Sequence, residues 1–268
     1  MSPRLNHSLV TAAGASPEKW IYLLHGIYGS GRNWGSIARR FVDERTEWGV
    51  VLVDLRLHGS SHGFAPPHTM EAVTRDVIEL EQALGLPASV VIGHSFGGKV
   101  ALLLGAEPDP PEQIWVADST LQTGEPEGTA WKVIGITRGL PSSFATRELL
   151  ADAMVANGYE RAVGMWLGMN LERAGTEFRW KLDWAGVEEM LRDYFAADVW
   201  GIIEQPPAET RIHMIRAVKS DSIDEESATR IRAAGEATGR VYLHDIDAGH
   251  WLNVDNPDAL LGLLLENV

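Results

Sequence analysis

Ser89-Val90-Val91-Ile92-Gly93-His94-Ser95-Phe96-Gly97-Gly98-Lys99 is the stretch on which the reading of this chain turns. A short apolar run goes straight into a Gly-x-Ser-x-Gly pattern. Residues 99–106 then carry a helical pattern until the prolines at 108, 110 and 111 break it. A strand that ends and a helix that begins on one serine is the context a nucleophile elbow requires. Side chains two residues either side of Ser95 would collide with the neighbouring helix and strand, which accounts for Gly93 and Gly97. The bend thrusts the hydroxyl clear of the sheet. It also sets it at a helix N-terminus, where backbone amides and the dipole favour a developing anion.

The same alternation of short apolar runs and helical patterns extends outward. Trp20-Ile21-Tyr22-Leu23-Leu24 ends at His25-Gly26, and residues 33–44 are helical in pattern. Val50-Val51-Leu52-Val53 ends at Asp54. Residues 70–84 repeat apolar side chains at helical spacing (Val73, Val77, Ile78, Leu80, Leu84), with Thr69 as N-cap and Gly85 and Pro87 as the stop. Ile114-Trp115-Val116-Ala117 ends at Asp118, and residues 211–218 and 241–246 supply two more strands. Helices are expected at 222–237 and 255–266. This rhythm predicts an α/β fold with a mostly parallel central sheet flanked by helices.

Residues 119–210 break the rhythm. They show helical patterns without convincing strands, and hold Trp131, Trp166, Trp180, Trp184, Trp200, Met154, Met165, Met169 and Met190. They read as a helical cap inserted into a core made of residues 1–118 and 211–268. The aromatic and Met side chains pack cap to core, or wall an apolar pocket.

The composition narrows the function. In 268 residues, 45% are hydrophobic and 22% charged, ordinary values for a globular chain with a real core. A net charge of −14 argues against nucleic acid or an anionic membrane as the main partner. The absence of cysteine excludes disulfides, thiolate metal sites and a cysteine nucleophile. The first ten residues are polar, without a targeting pattern, and no apolar run approaches the roughly 20 residues of a membrane helix. A soluble, cytoplasmic protein is expected. Nothing in the sequence sets an oligomeric state.

A serine hydroxyl needs a base. Of nine histidines, only His250 follows directly on the last expected strand, in Asp247-Ala248-Gly249-His250-Trp251, where a loop reaches the edge at which Ser95 emerges. His94 is expected to point sideways off the elbow as a support group, and His25 to brace the loop after the first run. His213 and His244 lie within strands and read as structural. His58, His62 and His68 lack metal-ligand spacing, so no metal or other cofactor is expected.

Together these segments resemble the α/β-hydrolase superfamily: His25-Gly26 with Gly29 after a strand, the Asp-x-Arg-x-His-Gly-x-Ser stretch from Asp54 to Ser61, the Ser95 elbow, and Gly249-His250-Trp251. Ser95-Phe96-Gly97-Gly98-Lys99 and Glu177-Phe178-Arg179-Trp180 are more similar to a subgroup of small capped acyl-ester hydrolases. The resemblance implies an oxyanion hole formed by the backbone amides of Ile27 and Phe96. It also implies an acid behind His250. In many members that acid follows the strand after the cap, where this chain has Ser220 at the usual spacing and Asp221 one residue further. In others it ends the strand after the nucleophile helix, which is Asp118. The small-esterase resemblance favours Asp118, with Ser220 as an auxiliary hydrogen-bonding group near His250, and Asp221 stays as the alternative.

The expected activity is hydrolysis of small-molecule carboxylic esters of small or medium acyl chain length, by a Ser95-His250-Asp118 triad through an acyl-enzyme. The same triad also serves thioesters, lactones, C–C bonds or perhydrolysis. A slow-turnover ligand-binding receptor is the reading from a different class. Serine rather than aspartate at the elbow argues against dehalogenase and epoxide hydrolase chemistry.

Overall fold

A computed structural model describes residues 4–268. With strands numbered in chain order, one sheet runs β1 (His7–Val10), β3 (Trp48–Val53), β2 (Lys19–Leu24), β4 (Ala88–His94), β5 (Gln113–Ala117), β9 (Arg211–Ala217), β10 (Val241–Ile246). Neighbours are parallel except for β1, which lies antiparallel on β3. The helices α1 (Gly35–Glu44), α2 (Met70–Leu84) and α3 (Phe96–Leu104) connect the first strands.

Between β5 and β9 come α4 (Gly128–Thr137), β6 (Ser143–Phe144), α5 (Arg147–Ala156), α6 (Arg161–Leu167), β7 (Leu171–Ala174), β8 (Glu177–Trp180), α7 (Trp184–Ala196) and α8 (Trp200–Glu204). The helices α9 (Glu225–Thr238), α10 (Leu252–Asp255) and α11 (Pro257–Asn267) complete the chain.

Side chains alternate across each strand, so successive residues enter different cores. Ile21, Leu23, Val50, Leu52, Val90 and Ile92 pack with Ile37 and Phe41 of α1 and with Leu260 and Leu264 of α11. Tyr22, Leu24, Val51, Val53 and Val91 pack on the other face with Val73 and Val77 of α2 and Val100 of α3. Both faces are covered, which is why these strands read as unbroken apolar runs. Helix α2 begins where Thr69 Oγ1 accepts from Ala72 N at 3.2 Å and ends at Gly85, whose φ of 65° suits glycine.

The structure corrects one expectation. The segment 119–210 is not purely helical: β6, β8 and β7 form an antiparallel sheet of their own. Strands of two to four residues are too short to show a period of two. The polar N-terminal stretch contains β1, an edge strand whose exposed side lets it carry polar residues.

One of the fastenings between segment 119–210 and the core is a buried cation. Lys99 of α3 donates from Nζ to the carbonyls of Tyr194 at 2.8 Å, Ala197 at 3.0 Å and Gln122 at 3.3 Å. It also lies 4.7 Å from the Tyr194 ring centroid. Burial pushes Lys99 down to about 8, with Asp198 acting in the opposite direction. Among the described residues no helix is long and apolar enough to cross a membrane.

Candidate active site

The strands β4, β5 and β9 lie side by side, and the residues at their C-terminal ends meet in space. Ser95 N donates to Ala117 O at 2.9 Å and Asp118 N donates to Ile215 O at 2.8 Å. The sheet ladder therefore sets Ser95 beside the strand end that carries Asp118. Both residues take left-handed backbone, φ 51° at Ser95 and φ 46° at Asp118, a conformation that costs a non-glycine residue about 1–3 kcal/mol.

The glycines at the bend have direct steric reasons. A Cβ on Gly93 would lie 2.0 Å from Gly97 O, and one on Gly97 would lie 2.7 Å from His25 O. The loop after β2 also crosses close to the elbow, since a Cβ on Gly26 would approach Ser95 Cβ to 3.2 Å.

His250 stands in the loop between β10 and α10. Its Nδ1 donates to Asp118 Oδ2 at 2.7 Å, and Asp118 is fully buried. The other carboxylate oxygen, Oδ1, accepts from Ala217 N at 3.2 Å, which fixes the carboxylate plane. His94 donates from Nε2 to the His250 carbonyl at 2.7 Å, and the two rings lie 4.7 Å apart. Burial drives His94 down to about 3, with repulsion from His250 acting in the same direction. It is a neutral support for the loop. His25 has the same character: it bonds Gly26 O through Nδ1 at 2.7 Å, accepts from Leu55 N at 2.9 Å, and is pushed down to about 4 by burial. Ser95 Oγ makes no hydrogen bond among the described residues.

Of the two acids the sequence offers, Asp118 meets His250 and Asp221 does not; Asp221 is exposed. Ser220 requires a correction. Its hydroxyl reaches Ser222 Oγ at 3.1 Å, and Ser222 Oγ in turn lies 3.2 Å from His250 Nδ1. A tight turn, closed by Ser220 N on Ala217 O at 3.0 Å, shifts the contact two residues along the chain. Counting from the strand end assumes an extended loop, so sequence reasoning missed Ser222.

The loop that carries Ile27 lies beneath an aromatic wall. Ring centroids are 5.6 Å apart for Trp251 and Trp166, 5.5 Å for Trp166 and Tyr28, 5.7 Å for Tyr28 and Trp184, and 5.0 Å for Trp184 and Trp180. Ile27 and Phe96 themselves are buried. Among the described residues no group of three or more His, Asp or Glu side chains is arranged to hold a metal ion.

An elbow serine, a histidine on the last loop and a carboxylate at a strand end, all at one edge of a mostly parallel sheet, define an α/β-hydrolase fold. The alpha/beta hydrolase family model matches residues 21–263, and the chain belongs to that family. It is 34% identical over 188 residues to the mouse (Mus musculus) sn-1-specific diacylglycerol lipase ABHD11, a match covering 67% of this chain and 59% of the mouse protein. It is 28% identical over 244 residues to the zebrafish (Danio rerio) protein of the same name, covering 88% and 74% of the two chains. Among solved structures, a marine microorganism esterase superposes with a TM-score of 0.84 at 26% identity over 100% of both chains.

Proposed function

We propose that this protein hydrolyses small-molecule carboxylic esters of small or medium acyl chain length through a Ser95-His250-Asp118 triad. The observation that carries the reading is the 2.7 Å contact between His250 Nδ1 and a fully buried Asp118, beside a serine held at φ 51° on a strand-to-helix bend. A buried carboxylate there has one use that repays its desolvation: it orients the imidazole and stabilises its cation. The esterase and lipase names of the relatives support ester chemistry. The line of rings from Trp251 to Trp180 supports an apolar acyl group.

In this mechanism Ser95 Oγ attacks the ester carbonyl as its proton passes to His250 Nε2. That hydrogen bond forms as substrate seats, since such contacts tighten in the Michaelis complex. The amides of Ile27 and Phe96 receive the oxyanion, a role worth about 3–4 kcal/mol for each donor. His250 protonates the departing alcohol, then takes a proton from the water that attacks the acyl-enzyme and returns it to Ser95 Oγ as the carboxylic acid leaves. Nδ1–H stays directed at Asp118 throughout, with Ser222 as a second, longer partner. His94, held neutral by its burial, does not compete as a base.

A panel of p-nitrophenyl esters of rising chain length tests the proposal. Turnover should be highest on short or medium acyl groups, and Ser95→Ala should lower it by on the order of 10⁴- to 10⁶-fold. Hydrolysis that persists in Ser95→Ala would sink the assignment. Strong preference for acyl-CoA substrates would move the activity to thioesters.

A further inference from the structure

Tyr28 stands in the middle of the loop assigned to the oxyanion, one residue after Ile27. Gly29 N closes a turn on Gly26 O at 3.0 Å, and Tyr28 occupies the third position of that turn with φ 62°. Glycine or asparagine is the usual occupant of such a position, and a bulky aromatic there is strained. A strained backbone persists only where its surroundings over-determine it.

Here the surroundings belong to the inserted segment. Asn170 Nδ2 donates to the Tyr28 carbonyl at 2.7 Å, and the Tyr28 hydroxyl donates to Ala130 O at 2.7 Å. Asn170 is 3% exposed and Tyr28 1%. Asn170 is itself held in place: it ends the 3₁₀ turn Gly168–Asn170, and its carbonyl accepts from Lys181 N at 2.9 Å across the β7–β8 hairpin. Among the described residues, the one core hydrogen bond on this turn, besides its own closure, comes from His25 to Gly26 O at 2.7 Å. The turn is thus gripped from below at Gly26 and from above at both the carbonyl and the side chain of Tyr28. Ile27 lies between the grips.

We infer that Asn170 is a positioning residue for the proposed ester hydrolysis: by holding the Tyr28 carbonyl it keeps the turn in its strained form and aims the Ile27 amide over Ser95. The inserted segment is then part of the oxyanion machinery as well as a roof. The inference rests on the reading given under Proposed function. Substrate contacts in the ground state are left alone, so the loss should fall on the transition state.

The test measures kcat, KM and inhibition by an alkyl boronic acid in Asn170→Ala and Asn170→Ser, with melting temperature recorded for each. A boronate on Ser95 carries the tetrahedral oxygen that the Ile27 amide would meet. Asn170→Ala should lower kcat by about 10- to 100-fold, the range set by small misplacements of catalytic groups and by loss of one oxyanion donor. Boronate affinity should fall with kcat while KM moves less than about threefold.

Tyr28→Phe removes only the upper hydroxyl contact and should shift kcat in the same direction by less. The double variant should lose less than the product of the two single losses, because both substitutions release the same turn. If Asn170→Ala fails to fold, Asn170→Ser and Tyr28→Phe carry the same comparison. A folded Asn170 variant with wild-type kcat and boronate affinity overturns the inference, and so does a rise in KM alone. Wild-type protein that neither hydrolyses the esters nor reacts with a fluorophosphonate at Ser95 overturns the hydrolase reading and this inference with it.

Discussion

The two sides of the candidate site are held in different ways. On the sheet side, Ser95 and Asp118 are located by backbone hydrogen bonds to Ala117 and Ile215, extensions of the ladder itself. On the inserted side the connections run through side chains: Asn170 to the Tyr28 carbonyl, Tyr28 to Ala130 O, Lys99 to the carbonyls of Tyr194, Ala197 and Gln122, and the carboxylates of Glu189 and Asp193 to the backbone N–H groups of His68 and Met70. A ladder keeps its geometry when a side chain at its end is changed. A side-chain clasp is lost with the side chain. Substitutions on the sheet side should therefore alter chemistry and spare the fold, whereas those on the inserted side should alter position or stability.

The largest effect expected from this contrast comes from the acid. Asp118→Asn keeps shape and removes the charge facing His250. On the proposed mechanism it should cost on the order of 10⁴-fold in turnover, as loss of the corresponding group does in serine proteases. Asp221→Asn, at an exposed position away from His250, should stay within about twofold of wild type. Steady-state kinetics on one good p-nitrophenyl ester decide it. Equal losses in the two variants would mean that the carboxylate bonded to His250 does not carry the reaction.

The same contrast explains what could be read in the sequence. Helix α2 and strand β10 follow from pattern alone, because apolar spacing and a Thr69 cap mark one, and a β-rich run between turns marks the other. The elbow follows because Gly93 and Gly97 are demanded by contacts with Gly97 O and His25 O, within the motif's own strand, turn and helix or just beside it. The acid stayed open because two strands end near a carboxylate, and only spatial closure brings one of them to His250. Ser222 was missed because a turn changes the register of a loop. Strands β6, β7 and β8 were missed because they are shorter than one readable period, and Asn170 because a side-chain-to-carbonyl bond across 142 residues leaves no local pattern.

A smaller effect, in stability, is expected where the clasp is electrostatic. Lys99→Met keeps most of the side-chain volume but leaves the carbonyls of Tyr194, Ala197 and Gln122 without their donor. Removing the cation also removes its desolvation cost, which offsets part of the loss. Three orphaned acceptors outweigh that, so urea unfolding should show a net loss of about 3 kcal/mol. Hydrogen exchange should speed up first at the end of α7, where two of the carbonyls lie. Unchanged stability would mean that burying the charge costs as much as its three bonds return.

The smallest effect sharpens the comparison through pH. The sheet side holds buried histidines at 25, 58, 68 and 213 and a half-buried one at 94, and residues 119–210 contain none. Burial lowers His213 to about 3, and like charge from His244 and Arg211 adds to the shift. Its ring is stacked on Trp115 at 3.9 Å with Nδ1 3.0 Å from His244 Nε2, while its own Nε2 is buried without a partner, so a second proton there has no acceptor. An unfolded histidine takes up its proton near pH 6.5. The folded value lies below the unfolded one, so the contribution to stability is complete above about pH 6.5 and is lost as pH falls toward 3. At pH 5 that amounts to about 2 kcal/mol for this one residue. His213→Phe keeps a ring against Trp115 but cannot titrate. It should be less stable than wild type at pH 7, having lost the bond to His244, yet lose about 2 kcal/mol less between pH 7 and pH 5. Urea midpoints at the two pH values measure the difference. An identical acid loss in both proteins would mean that the folded sheet accepts a proton at His213 without penalty, and the sheet side would then be as adaptable as the clasped one.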